Sequence, residues 1–124
     1  MIVGTGVDIV DIARIEKSLT KKGFIEKVFS INEIAYCKKM KVPDQSFAGK
    51  FAAKEALVKA LGEPFYFKFE LNSVEILNDV NGKPEFKLTD EFQEYYNITS
   101  STRTHLSISH CQTYAVAMVT IEKT

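Results

Sequence analysis

The sequence has few cysteines, no tryptophan and no excess of either charge. Cys37 and Cys111 are the only cysteines and have no CxxC spacing, which argues against a disulfide scaffold and a structural zinc site. Sixteen basic residues balance sixteen acidic ones, so a uniformly basic nucleic-acid surface is not indicated. No apolar run approaches the ~20 residues that span a bilayer, and the first residues lack the basic segment of a signal peptide. We therefore expect a cytoplasmic protein with free thiols and without a nucleic-acid or membrane partner.

The residues that are present have the composition of a small globular protein. Hydrophobic residues make up 45% of the 124 residues and charged residues make up 26%. These values are ordinary for a soluble domain, and this length can bury a small core. We therefore predict one domain over residues 1–124.

The first part of the chain predicts a strand followed by helices. Residues 2–12 are rich in Val and Ile, which predicts a strand buried on much of both faces. Asp11 is expected to cap a short helix that Gly23 ends. Residues 30–33 have the spacing of a capping box, which predicts a further helix to about Met40.

The central and C-terminal parts predict one long helix and then mainly strands. Residues 47–62 have a helical pattern, with Asp44 as the expected cap, Gly62 as the end and Pro64 preventing continuation. Strands are predicted at 73–77, 83–88, 104–110 and 114–121, with a hairpin turn at Asn81-Gly82 and a short helix capped by Thr89. The sequence therefore predicts an α+β domain with helices early and strands late.

The central helix presents two different faces. One is an apolar stripe, typical of core, formed by Phe47, Phe51, Val58 and Leu61. Lys54 lies near this stripe, and we expect its ammonium to reach water. The neighbouring face carries Glu55 and Lys59 among the small residues Ala48, Ala52 and Gly62, so another backbone or a ligand can approach it closely. The simpler interpretation of Glu55 and Lys59 is an exposed helical ion pair.

Asp8 is an acid in an apolar run. A buried carboxylate without a partner costs several kcal/mol, so Asp8 needs a cation, a donor or a metal. Asp8 and Glu55 together would suit Mg²⁺. Alternatively, Asp8 ends the strand and meets water or backbone amides. Gly4 and Gly6 form a bare GxG, which supports neither a dinucleotide fold nor a P-loop.

His110 ends a predicted strand beside a turn. This place suits contact with a ligand phosphate or hydroxyl, although a lone histidine is often a hydrogen-bonded structural residue. His105 alternates to the opposite face and is the weaker candidate.

Three motifs spread over nearly the whole chain occur together. They are residues 6–12 with Arg14, residues 51–62, and residues 107–110 with 114–117. In this order they resemble holo-[acyl-carrier-protein] synthase, the small phosphopantetheinyl transferase of fatty-acid synthesis. The resemblance implies a phosphopantetheinyl transferase-like α+β fold, in which a mainly antiparallel sheet packs against the long central helix.

The resemblance also implies a Mg²⁺-dependent reaction. A serine of apo acyl carrier protein attacks the β-phosphate of coenzyme A, receives the 4′-phosphopantetheine group, and adenosine 3′,5′-bisphosphate leaves. Asp8 and Glu55 would hold the metal and Lys59 would contact phosphate oxygens. These three are the implied catalytic residues. Asp8, Glu55 or a metal-bound water could act as the base.

The remaining implied contacts involve coenzyme A, the carrier protein and other subunits. The implied coenzyme A contacts are Lys50 (where relatives often carry Arg), Lys59, Gly82, Lys83, Pro84 and His110. The implied carrier contacts are Arg14, Lys21 and Lys22. The family forms homotrimers, so Lys50, Lys83 or His110 could come from a neighbouring subunit. The alternatives are a non-catalytic α+β domain that binds a ligand or partner, and another Mg²⁺-dependent enzyme such as a phosphoryl hydrolase.

Overall fold

The structure is a computed structural model that describes residues 1–63 and 68–124. In chain order, the elements of the described ranges are β1 (Ile2–Asp11), α1 (Ile12–Leu19), α2 (Phe24–Val28), α3 (Ile31–Lys39), α4 (Pro43–Leu61), a 3₁₀ turn (Leu71–Ser73), β2 (Val74–Asn78), β3 (Pro84–Leu88), α5 (Asp90–Tyr95), β4 (Thr102–His110) and β5 (Tyr114–Lys123). The prediction for Pro64 lies outside the described residues. Within the described ranges, none of the helices combines the length and the hydrophobicity of a membrane-spanning segment.

Local sequence signals determine four of the helix ends in the described ranges. The Asp11 carboxylate accepts a hydrogen bond from the Ala13 N–H and caps α1, and Thr89 caps α5 in the same way. Ser30 and Glu33 form the predicted capping box of α3. Gly62 ends α4 in the left-handed conformation at φ 85°. These four predictions are confirmed.

The start of α4 corrects one prediction. Asp44 does not cap this helix, because α4 begins earlier, at Pro43, with Val42 as its N-cap residue. Proline is favoured in the first helical position, where its missing N–H removes no hydrogen bond. Asp44 lies in the first turn instead, where its negative charge still favours the positive end of the helix dipole.

The sheets pack against α4. Strands β1, β5 and β4 form a three-stranded antiparallel sheet in that order, and β2 and β3 form a separate hairpin. A Cβ atom on Gly4 or Gly6 would clash with the backbone of Ala60 or Ala56, so β1 lies directly on the helix. The predicted α+β fold, a mainly antiparallel sheet against a long central helix, is confirmed.

The outer face of the three-stranded sheet contradicts another prediction. Its apolar side chains are exposed to solvent in this chain: Val7 is 57% exposed, Ile9 is 65% exposed and Met118 is 53% exposed. The inner residues Ala117 and Val119 are buried against α4. Because Val and Ile occur on both faces of β1, the sequence predicts burial of both, whereas one chain covers only the inner face.

Lys54 also differs from its prediction. Its ammonium does not reach water, because the side chain is 0% exposed and ion-paired with Glu33 over 2.7 Å. It also donates to the carbonyls of Val28 and Leu71, while the other Glu33 oxygen accepts from the Ile76 N–H at 2.9 Å. Burial lowers the pKa of Lys54, and the Glu33 carboxylate opposes this shift. The pair therefore joins α3, α4 and β2.

Candidate active site

Asp8 and Lys59 meet at the contact between β1 and α4. The Lys59 ammonium lies 3.1 Å from Asp8 Oδ1 and also donates to the Val7 carbonyl at 2.9 Å. The Asp8 side chain is 17% exposed, whereas the Lys59 side chain is 55% exposed. The carboxylate is therefore largely enclosed while its cation stays accessible to a ligand.

The register of β1 on α4 places Asp8 beside the helical turn that carries Glu55. Gly4 contacts Ala60 and Gly6 contacts Ala56, so successive inward residues of β1 meet successive earlier turns of the helix. Asp8 is the next inward residue. Glu55 lies one turn before Lys59, whose long side chain leans toward the helix N-terminus, as helical side chains do. Lys59 therefore contacts Asp8, and Glu55 shares the helix face of Lys59 one turn earlier.

A cavity of about 180 Å³ lies on the other side of α4. It is bounded by α3, α4, the turn between β2 and β3, and the end of β4. Eight of its lining residues carry polar groups or shape the turn: Tyr36, Gln45, Ser46, Lys50, Asn78, Gly82, Pro84 and His110. Four of the predicted coenzyme A contacts therefore line one cavity.

Lys50 lies in the wall of this cavity with little exposure to solvent. The residue is 3% exposed, and its ammonium donates to the Ile76 carbonyl at 2.9 Å and to Asn78 Oδ1 at 2.7 Å. The Tyr36 ring lies 4.7 Å from the same nitrogen. Burial lowers the pKa of Lys50. Its predicted contact with coenzyme A stays a prediction.

The two groups of site residues lie on opposite sides of α4. At about 100° per residue, Glu55 is rotated by roughly 140° from Lys50 around the helix axis. Asp8 and Ile108, which lines the cavity, both pair with Ala117 of the central strand. They are therefore two strand spacings apart, ~10 Å. Within one chain, α4 separates the two groups.

The remaining predicted residues lie around these two regions. Lys83 lines a neighbouring cavity of about 320 Å³ that also includes Pro84. Arg14 lines a third cavity, of about 180 Å³, beside Ile9 and Asp11. The predicted carrier contacts Lys21 and Lys22 are exposed after α1.

Asn78 and Tyr36 line the cavity with Lys50, and the sequence analysis did not single them out. The only local signal for Asn78 was its place at the start of a turn, where Asn is common for many reasons. Tyr36 stood on a helix without an evident apolar stripe. Both acquire their role from Lys50, which approaches from another element. No periodicity within one segment can indicate such a contact.

Comparisons with known proteins agree on one family. The family model described as the 4′-phosphopantetheinyl transferase superfamily matches residues 4–119. A holo-[acyl-carrier-protein] synthase of Protochlamydia amoebophila is 44% identical over 119 residues, covering 94% of this chain and 95% of the relative. A synthase from Geobacter sp. is 42% identical, covering 99% of this chain and all of the relative.

Solved structures give the same result. The holo-(acyl-carrier-protein) synthase of Bacillus anthracis in complex with CoA (3′,5′-ADP) has a TM-score of 0.82 and 36% identity, covering 100% of this chain and 99% of that one. The Helicobacter pylori synthase in complex with coenzyme A has a TM-score of 0.83 and 37% identity, covering 95% of this chain and 99% of that one. Both similarities extend over nearly all of each chain.

Proposed function

Since this chain belongs to the 4′-phosphopantetheinyl transferase superfamily, we propose that Asp8, Glu55 and Lys59 form the centre of its reaction. In that reaction it transfers the 4′-phosphopantetheine group of coenzyme A to a serine of apo acyl carrier protein and releases adenosine 3′,5′-bisphosphate. The observation that carries the proposal is the enclosed Asp8 carboxylate, which meets a largely exposed Lys59 ammonium. Glu55 lies one turn before Lys59 on the same helix face.

The chemistry of the two acids fits Mg²⁺. Magnesium favours one or two carboxylates together with waters and substrate phosphates. Asp8 is enclosed and already binds a cation, the Lys59 ammonium, so this region favours positive charge. We assign Asp8 and Glu55 as the residues that would hold Mg²⁺. When bound, the ion would neutralise charge on the pyrophosphate of coenzyme A and on the leaving group.

Lys59 is the second cation of the centre. Its side chain is more than half exposed, so its ammonium can leave Asp8 for phosphate oxygens at small cost. A cation at this point stabilises negative charge as the bond between phosphorus and the leaving oxygen breaks. Asp8 and Glu55 are also the side chains here that can accept the proton of the attacking serine.

The cavity on the other side of α4 is proposed as the site for the nucleotide part of coenzyme A. Its wall combines the backbone of Gly82, the ring of Pro84 and the imidazole of His110. Lys83, in the neighbouring cavity, adds a cation at the same edge. Gly82 has φ 85°, and because it lacks a side chain its backbone can approach a base closely.

We further propose a homotrimer in which each site is shared between subunits. The two groups of site residues lie on opposite sides of α4, so one chain can supply Asp8, Glu55 and Lys59 while its neighbour supplies the cavity. The open apolar face of the three-stranded sheet supports this arrangement, because monomeric proteins rarely leave such a patch uncovered.

The proposed carrier surface is α1 and the residues after it. Arg14, Lys21 and Lys22 are exposed cations, and carrier proteins are acidic, so these residues would steer the encounter. The cytoplasm is the proposed compartment. Cys37 and Cys111 are both free, which fits a reducing environment.

Mass spectrometry of the carrier protein tests the reaction. Apo acyl carrier protein is incubated with this protein, coenzyme A and Mg²⁺, and the expected result is a carrier heavier by one phosphopantetheine. The same mixture without Mg²⁺, with a chelator, should give no product. Coenzyme A hydrolysis with an unchanged carrier would instead indicate a phosphoryl hydrolase, and no reaction would indicate a non-catalytic binding domain.

A subunit-mixing experiment tests the shared site. Asp8→Asn and His110→Ala variants should each be impaired alone. Refolded together in equal amounts, they should form intact sites at about one quarter of the interfaces, with activity restored accordingly. Light scattering should give the trimer mass. A mixture no more active than its components would mean that each chain supplies its whole site.

A further inference from the structure

Lys50, outside the proposed catalytic centre, is a buried lysine with a well-defined set of hydrogen-bond partners. A buried ammonium has three N–H donors and no acceptor, and it must find partners to offset its desolvation. Two donors go to the Ile76 carbonyl and to Asn78 Oδ1, and the Tyr36 ring lies 4.7 Å from the nitrogen. The ammonium is thus occupied by the protein itself.

The Lys50 contact fixes the orientation of the Asn78 amide. An ammonium cannot accept a hydrogen bond, so the carbonyl oxygen of Asn78 must face it. The NH₂ group of Asn78 then points the other way and donates to the Gly82 carbonyl at 3.0 Å. Lys50 on α4 is therefore connected to the backbone of the turn through one intervening side chain.

The turn has its own internal bonds, but those bonds do not attach it to the helix. Asp79 Oδ1 accepts from the N–H groups of Asn81 and Lys83, and the Gly82 N–H donates to the Asp79 carbonyl. These contacts keep the turn in shape. The hydrogen bonds from Lys50 to Asn78 and from Asn78 to Gly82 link the turn to α4 at the cavity wall.

We propose that Lys50 is a positioning residue, which acts through Asn78 to hold the Gly82 and Pro84 side of the cavity in place for coenzyme A. This inference rests on the proposed function, because it takes the cavity as the coenzyme A site. It differs from a direct contact between Lys50 and phosphate. The Lys50 ammonium affects the ligand only indirectly. It orients the Asn78 amide, and that amide holds the turn that lines the cavity.

Calorimetry of coenzyme A binding, without carrier protein, tests this role in Lys50→Met and Asn78→Leu. Each variant should bind coenzyme A about five- to tenfold more weakly, the effect of losing one hydrogen-bonded link. The double variant should be no weaker than the worse single variant, because both changes break the same chain. With saturating coenzyme A, kcat should change by less than about twofold, since neither side chain contacts reacting atoms.

Three further variants separate positioning from packing and from charge. Lys50→Arg keeps buried donors for both acceptors and should restore most of the affinity. Asn78→Asp keeps the partner of Lys50 but cannot donate to Gly82, so it should bind weakly. Lys87→Met removes an exposed lysine from the same hairpin and should bind like the original protein.

The amide resonance of Gly82 provides a readout that does not depend on coenzyme A. It should shift in Lys50→Met and Asn78→Leu, and stay in place in Lys87→Met. If the original protein neither binds coenzyme A nor modifies the carrier, the proposed function fails. The Gly82 resonance then alone tests whether Lys50 and Asn78 position the turn. An unmoved resonance, or multiplicative losses in the double variant, would overturn the positioning role. If Lys50→Met does not fold, the two Asn78 variants carry the test.

Discussion

Helix α4 carries two lysines, Lys54 and Lys59, that each pair with a carboxylate from another element. The Lys54 ammonium lies 2.7 Å from Glu33, with both side chains fully buried. The Lys59 ammonium lies 3.1 Å from Asp8 and is largely exposed. The residue types are the same and the helix is the same, but the two pairs are surrounded very differently.

The surroundings decide what each pair can do. The ammonium of Lys54 donates to two carbonyls besides Glu33, so it has no donor left for a ligand. The ammonium of Lys59 donates to Asp8 and one carbonyl and faces solvent, so it can exchange partners. A lysine with three protein acceptors joins elements of the fold, whereas an exposed lysine beside an enclosed acid suits a reaction.

The largest expected effect comes from breaking the buried pair. Lys54→Met leaves the Glu33 carboxylate without a cation in the interior, and we expect the free energy of unfolding to fall by about 3–5 kcal/mol. Urea denaturation followed by circular dichroism measures it. Lys59→Met is the matched control and should lose less than about 1 kcal/mol. Equal losses in both variants would remove the distinction between the two pairs.

For the acids of the proposed centre, we expect substitutions to reduce activity and to leave the fold intact. Asp8→Asn and Glu55→Gln should lower kcat by at least about a hundredfold, about 2.7 kcal/mol of transition-state stabilisation. Their circular-dichroism spectra should be unchanged. Carrier modification is measured by mass spectrometry at saturating coenzyme A. Loss of the folded spectrum in Glu55→Gln would instead identify a structural carboxylate.

Lys59 should have a smaller effect on the reaction. Lys59→Met should lower kcat/KM by about tenfold, because one charge-assisted contact to phosphate oxygens is lost. Initial rates at varied coenzyme A concentration measure it. Lys59→Arg keeps the charge and should retain more activity than Lys59→Met. If Lys59→Met matches the original protein, the exposed pair is only a surface contact.

The smallest effect at pH 7 concerns a buried thiol beside the same helix. Burial raises the pKa of Cys37 from 9.0 to about 12 in the folded protein. Above pH 9 the unfolded chain loses this proton while the folded chain keeps it, so stability falls as pH rises toward 12. Cys37→Ala should be less stable at pH 7 by about 1 kcal/mol. Denaturation at pH 7 to 11 should show the gap narrowing and then reversing, because the original protein loses about 2.7 kcal/mol over the two pH units above 9. A constant gap would contradict the raised pKa.

The sequence predicts those parts of the fold that depend on neighbouring residues. The cap of α1 by Asp11, the capping box of Ser30 and Glu33, and the end of α4 at Gly62 each involve groups within a few residues. The hairpin turn is equally local, although it spans residues 79–83 and only Gly82 in it has a positive φ.

The rest depends on contacts between distant segments. The burial of Lys54 follows from Glu33 and from two carbonyls on other elements, so a helical stripe alone suggests the wrong environment. The proximity of Asp8 to α4 could be anticipated only as a hypothesis. The helix rotation of about 100° per residue predicts that Lys50 and Glu55 lie on different sides of α4. Which other residues each of them meets depends on how the sheet crosses the helix, and the sequence does not predict that crossing.

Gly6 allows β1 and α4 to pack closely, because without a side chain at this position the strand can contact the Ala56 backbone. Asp8 comes two residues later on the same strand, so the close approach of the strand at Gly6 also sets the distance between Asp8 and the helix. A methyl group at position 6 would lift the strand and carry the acid outward with it. A residue that touches no reactant therefore governs how far the carboxylate reaches.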